Sequence, residues 1–151
     1  MRGLPVRAAG IELFARWTDM WNGELDLVEQ IMAPEFVLRY AQPGASDYDY
    51  IRDRTAFRIQ IARFRDQRPD LRFTPQGSFV VEMDETGTGL VASPYGARFT
   101  DSGGSVIDVS GTDILRTTGG FITEVWSVSG GPGGRSFYAA GELEAAHGPR
   151  D

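Results

Sequence analysis

Ile11, Phe14, Thr18 and Trp21 recur at helical spacing, with Glu12, Arg16 and Asp19 on the opposite stripe, which predicts an amphipathic helix. Asn22-Gly23 supplies its stop. A second, shorter helix is predicted from about Glu24 to Met32 on Leu25, Val28, Ile31 and Met32, closed by Pro34. The period then changes to two: Phe36, Leu38 and Tyr40 alternate with Val37 and Arg39, the mark of a strand. After the turn-rich loop Gln42–Asp47, a third helix is predicted over roughly Asp53 to Gln67, with Phe57, Ile61 and Phe64 as its buried stripe and Pro69 beyond its end.

From Leu71 the chain reads as strands: 71–73, 78–83, 89–100, 106–115 and 121–128. Turn signals separate them, at Pro75-Gln76-Gly77, Asp84–Gly87, Asp101–Gly104 and Thr117–Gly120, so the sheet is expected to be mostly antiparallel. Three helices followed by a meander of long strands predict an α+β fold, with the helices packed on one face of a strongly curved sheet.

Alternation within 107–115 isolates one residue. The odd positions are Ile107, Val109, Gly111, Asp113 and Leu115; the even ones are Asp108, Ser110, Thr112 and Ile114. Asp113 therefore belongs to the apolar, core-facing set. Desolvation there disfavours its charged form and raises its pKa, the condition for a carboxylic acid to donate a hydrogen bond or act as general acid. Pairing with an arginine or capping of backbone groups is the structural alternative. Tyr95, Ala97 and Phe99 share a side of their strand, Ser127 falls with Val125 and Ser129, and Trp126 falls with the opposite set. An outer sheet face packed on a second subunit would bury Trp126.

Composition narrows the chemistry further. The 151 residues contain no cysteine and no lysine, and the one histidine, His147, is the fifth residue from the end. No disulfide, thiolate metal site, cysteine nucleophile or lysine Schiff base can form, so acid–base work falls to Asp, Glu and Tyr. Net charge is −6, which argues against a dedicated nucleic-acid binder. All fifteen basic residues are arginines. Arg54, Arg58, Arg63, Arg65 and Arg68 crowd the third helix, and a solvated helix face explains them in an acidic chain better than a phosphate site does. No apolar run approaches a membrane span and no signal peptide is recognisable, so a soluble cytoplasmic protein is expected. The domain is expected over 8–130. Residues 131–151 read as a Gly-rich linker and flexible tail, with a flap docking Phe137 and Tyr138 as the alternative.

Several phrases resemble the nuclear transport factor 2-like superfamily, the cone-shaped α+β barrel of ketosteroid isomerases and SnoaL-type polyketide cyclases. They are Phe14-Ala15-Arg16-Trp17, Trp21-Asn22-Gly23-Glu24-Leu25, Met32-Ala33-Pro34-Glu35-Phe36-Val37, Arg68-Pro69-Asp70-Leu71-Arg72-Phe73, Val109–Arg116 and Gly119–Trp126. The Pro-Asp-Leu and Gly-x-Asp-x-x-Arg phrases and the Gly-x-Ile-x-Glu-x-Trp phrase look most like the SnoaL-type group. The resemblance implies a cone with one internal pocket, and it covers roughly residues 8–130. It also places the protonated aspartic acid of the isomerases' oxyanion hole on Asp113. Where those enzymes have a tyrosine this chain has Trp17, and where they have the base aspartate it has Tyr40. The SnoaL-type aldol cyclases have a histidine matching Asp113, and an acid–base aspartate where this chain has Ser127. The Asp-Arg-Asp set of limonene epoxide hydrolase cannot be assembled from the inward positions.

The expected pocket is lined by Trp17, Trp21, Tyr40, Phe57, Tyr95, Phe99, Val109, Asp113 and Ser127, with core packing the plainer role for Phe57 and Trp21. Asp113 and Tyr40 are the expected catalytic pair. The implied activity is cofactor-free and metal-free cyclisation or isomerisation of a hydrophobic, polyketide-like or polycyclic substrate in secondary metabolism. A pericyclic-type closure in which the pocket mainly folds the substrate is included. The alternative is a non-catalytic binding or assembly module of the same fold. A homodimer through the outer face near Trp126 is expected, with no nucleic-acid or membrane partner.

Overall fold

The structure, a computed structural model, describes residues 3–131 and 133–138. The helix-compatible stretch 142–146 and His147 lie outside them. In chain order the elements are α1 (Gly3–Trp21), α2 (Leu27–Ile31), β1 (Met32–Tyr40), a 3-10 turn (Ser46–Tyr50), α3 (Arg54–Asp66), β2 (Arg72–Pro75), β3 (Val80–Met83), β4 (Gly89–Thr100), β5 (Val106–Thr118) and β6 (Phe121–Ser129). The six strands form one curved, unclosed sheet in the order β1-β6-β5-β4-β2, with β3 also on β4. The long β4 meets β3 along Gly89–Ala92 and β2 along Tyr95–Arg98, so two short strands share one edge in succession. All pairings are antiparallel except β1 with β6, which is parallel. None of the described helices is long and apolar enough to cross a membrane.

Trp17, Met20, Val28, Ile31, Phe57, Ile61, Leu115, Ile122 and Val125 are buried between the helices and the concave face of the sheet. Gly10 lets α1 approach β3: a Cβ there would sit 2.6 Å from Val81 Cγ1. Asp53 caps α3, its side chain accepting from the Ala56 N–H.

Departures from the sequence expectation cluster at the second helix, and β5 runs three residues further than expected, to Thr118. The second helix is a single turn, and β1 begins at Met32 rather than Phe36. Pro34 is inside a strand rather than behind a helix. It is tolerated because β1 is an edge strand whose register with β6 shifts between Met32 and Val37, where a ladder donor is not needed. The arginines of α3 are also less solvent-directed than their spacing suggests. Arg54 donates to the Met32 carbonyl, Arg65 to the Trp21 carbonyl, and Arg58 to the Leu25 carbonyl and to Asp26 and Glu29. These bonds tie α3 to the α1–α2 corner.

Asn22, the sole asparagine of the chain, closes the other edge of the sheet. Its Nδ2 donates to the Phe73 carbonyl at 2.9 Å and its Oδ1 accepts from the Phe73 N–H at 2.8 Å, as a neighbouring strand would. Asn22→Ala removes both bonds at once. We expect it to lower stability by about 2 kcal/mol, read as a lower denaturant midpoint at unchanged slope. An unchanged midpoint would show that the link is dispensable.

Candidate active site

Four adjacent strands bring the key residues into line. Tyr40 on β1 is in register with Ser127 on β6, Ser127 with Asp113 on β5, and Asp113 with Ser93 on β4. Strands lie about 4.8 Å apart, so the Cα atoms of Tyr40 and Asp113 are on the order of 10 Å apart across the concave face. One rung along, Tyr95 on β4 pairs with Gly111, which pairs with Ser129. A Cβ on Gly111 would lie 2.6 Å from the Tyr95 hydroxyl oxygen, so the glycine is what lets that phenol lie flat across β5.

These residues line a cavity of about 710 Å³ between the sheet, α1 and α3, a size suited to a drug-sized molecule. Trp17, Trp21, Tyr40, Tyr95, Phe99, Val109, Asp113 and Ser127 all reach its wall. Phe57 does not. It is fully buried behind the cavity, its ring 5.9 Å from Trp17, 5.8 Å from Trp21 and 5.5 Å from Phe36. Along the same α3 stripe it is Phe64 that lines the space, T-shaped against Trp21. Sequence phasing also missed Gln42, Tyr48, Arg63 and Arg68 on the wall. Tyr48 stacks on Tyr40 with ring centroids 4.2 Å apart. Arg68 lies over the Phe64 ring at 3.9 Å and near the Phe99 ring at 5.4 Å. An arginine pattern on a helix carried no signal for that stacking.

Asp113 is 6% exposed. The Trp17 indole N–H donates to its Oδ2 at 2.9 Å, and its Oδ1 is buried with no hydrogen-bond partner. Burial is the dominant influence and pushes the carboxyl up to about 6, against the opposing pull of the Ser127 hydroxyl and the Trp17 N–H, which favour the charged form. Burial likewise raises the Tyr40 and Tyr95 phenols, with the Asp113 charge the next contributor for both. Both phenols are therefore neutral donors near pH 7. Among the described residues no cluster of three His, Asp or Glu side chains is arranged to hold a metal ion.

The segment 133–138 lies against the same end of the sheet. The Ser110 N–H donates to the Arg135 carbonyl, the Phe137 N–H to Ser110 Oγ, and the Tyr138 hydroxyl to the Gln76 carbonyl. This cover explains why Ser110, on the polar phase of β5, is buried. Phe137 itself is 59% exposed.

Solved structures with the same fold include a candidate polyketide cyclase from Acidithiobacillus ferrooxidans, with TM-score 0.66 at 20% identity over 80% of this chain and 87% of that one. IdmH, a candidate polyketide cyclase from Streptomyces antibioticus, gives 0.65 at 21% identity over 80% and 91%. AclR, a candidate hydroxylase from Streptomyces galilaeus, gives 0.57 at 19% identity over 83% and 79%. No curated protein sequence is significantly similar to this chain. Residues 13–125, from the middle of α1 to the middle of β6, match the SnoaL-like domain model, and the chain belongs to that family.

Proposed function

We propose that the protein is a cofactor-free enzyme that cyclises or isomerises a polyketide-like or polycyclic substrate, with Asp113 as acid and hydrogen-bond donor and Tyr40 orienting a substrate oxygen. The carrying observation is one buried carboxyl on an aromatic cavity wall, with one oxygen held by an indole N–H and the other unpaired. Because Trp17 donates to Oδ2, the acid proton resides on Oδ1, the oxygen without a partner. A carboxyl with a pKa near 6 is mostly ionised at pH 7. An apolar substrate that expels the remaining water raises it further, so the acid is protonated when a carbonyl or enol oxygen arrives. The proton on Oδ1 then stabilises charge developing on that oxygen during ring closure or double-bond migration. The aromatic walls supply shape, which is most of what an intramolecular closure needs.

On the same reading the enzyme works in secondary metabolism of the antibiotic-forming kind, in the cytoplasm, as a homodimer. The outer sheet face supports the dimer: Trp126 is only half-buried, Ile114 and Val128 are exposed beside it, and Arg116 lies over the indole at 5.2 Å. The alternative, a binding module, draws support from Ser127, which stands where the SnoaL-type cyclases have their acid–base aspartate. An open cavity reached by both Asp113 and Tyr40 weighs against that alternative.

The test is incubation with partly cyclised poly-β-ketones, carrying one to three preformed rings and an unclosed ketone chain, followed by chromatography. We expect faster ring closure than in buffer for at least one of them. Binding of those compounds with closure no faster than in buffer would decide for the binding module.

A further inference from the structure

Among the described residues two buried side-chain polar atoms lack a hydrogen-bond partner, Asp113 Oδ1 and Gln42 Oε1. Both residues line the same cavity. Buried polar groups are normally paired, and the exceptions need a reason. Here both exceptions fall in one cavity, which points to a ligand that supplies the missing partners.

Gln42 follows β1 by two residues, beyond Tyr40 in the chain. Its backbone is fixed by a turn in which its carbonyl accepts from the Ala45 N–H. Gly131 abuts it: a Cβ there would lie 3.3 Å from Pro43 Cδ and 3.9 Å from Gln42 Cβ, and Gly131 is held at a positive φ. The side chain is thus presented from a braced loop, at the loop end of the cavity, whereas Asp113 is presented from the middle of β5. Two strands and two residues of offset put the two Cα atoms on the order of 10 Å apart. An amide oxygen accepts and cannot donate, so its partner is a donor, which on a polyketide-like or polycyclic substrate is a hydroxyl or an enol.

We propose that Gln42 is a specificity-determining residue, its Oε1 accepting a hydrogen bond from a hydroxyl or enol at the end of the substrate remote from the oxygen engaged by Asp113. The site then selects a fused-ring compound oxygenated at both ends over its mono-oxygenated analogue. This rests on the reading of the cavity as the substrate site.

The probes are 2-naphthol and the 1,5-, 2,6- and 2,7-dihydroxynaphthalenes, titrated calorimetrically into wild type, Gln42→Leu and Gln42→Glu. In wild type at least one diol should bind roughly tenfold more tightly than 2-naphthol. Gln42→Leu should lose that preference while keeping the 2-naphthol affinity and the melting temperature. Gln42→Glu, which keeps an acceptor, should retain the preference. Equal binding of naphthol and all diols by wild type, or a preference that survives in Gln42→Leu, overturns the role of Gln42 and leaves the cavity reading intact. Binding of none of the four compounds overturns the cavity reading, and this proposal with it.

Discussion

Asp113→Asn should abolish turnover and make the protein more stable at neutral pH. The two effects have one cause. The folded protein holds the Asp113 carboxyl at about 6 against an ordinary 3.8. Its native state therefore binds more protons than the unfolded chain between those values, and stability falls as pH rises through that window. Below the window the acid is protonated in both states and costs nothing. Above it the fold carries a buried charge, a penalty of about 3 kcal/mol at one unit per 1.36 kcal/mol. Asparagine has no charge to bury and keeps a carbonyl oxygen to accept the Trp17 N–H. The variant's melting temperature should match wild type near pH 4 and exceed it near pH 8, on the order of 10 °C for a chain of this size. Activity behaves differently, because an amide cannot supply the acidic proton. Parallel melting curves from pH 4 to pH 8 would show that Asp113 is not a strained acid. A variant that is less stable at every pH but still turns over would make it a structural residue.

How far the sequence carried this site follows from the periodicity of each element. β5 alternates cleanly, so Asp113 stood out, and the structure buries Val109, Gly111, Asp113, Leu115 and Thr117 on one phase. Tyr40 was legible for the same reason on β1. Alternation fails where something outside the strand covers it, as at Ser110 under residues 133–138. A helical stripe fails differently. It tells inside from outside but not core from cavity, so Phe57 and Phe64 looked alike although only Phe64 reaches the open space. Gln42 sits in a loop with no period at all. The predicted second helix runs past the observed one because a proline after an apolar run reads as a helix stop, whereas here it belongs to an edge strand. The bond from Trp17 to Asp113 spans 96 positions, and no local pattern encodes a contact of that range. Periodicity alone therefore presents Trp17 as a lining aromatic and not as a donor.

Trp17→Phe tests that bond and carries the second large effect. Phenylalanine keeps a ring on the cavity wall but removes the donor to Oδ2. Of the two side-chain donors that favour the charged form of Asp113, the Ser127 hydroxyl alone then remains. The ionised form loses more than the neutral one, because a bond to a charge is worth roughly 1.5–3 kcal/mol against about 1 for a neutral pair. The pKa of Asp113 should therefore move up from about 6 by roughly one unit. The acidic proton would also lose its fixed place on Oδ1 and divide between the two oxygens. Turnover should fall, and the midpoint of its pH profile should move to higher pH, in step with the carboxyl carbon signal of Asp113 in an NMR titration. Trp21→Phe is the control, because Trp21 shares the wall but its indole makes no bond to Asp113. It should lower stability through lost ring contacts and leave the midpoint in place. If both variants lose stability while neither moves the midpoint, Trp17 only fills space. A shift confined to Trp17→Phe would mean that one indole N–H decides which oxygen of a buried acid faces the substrate.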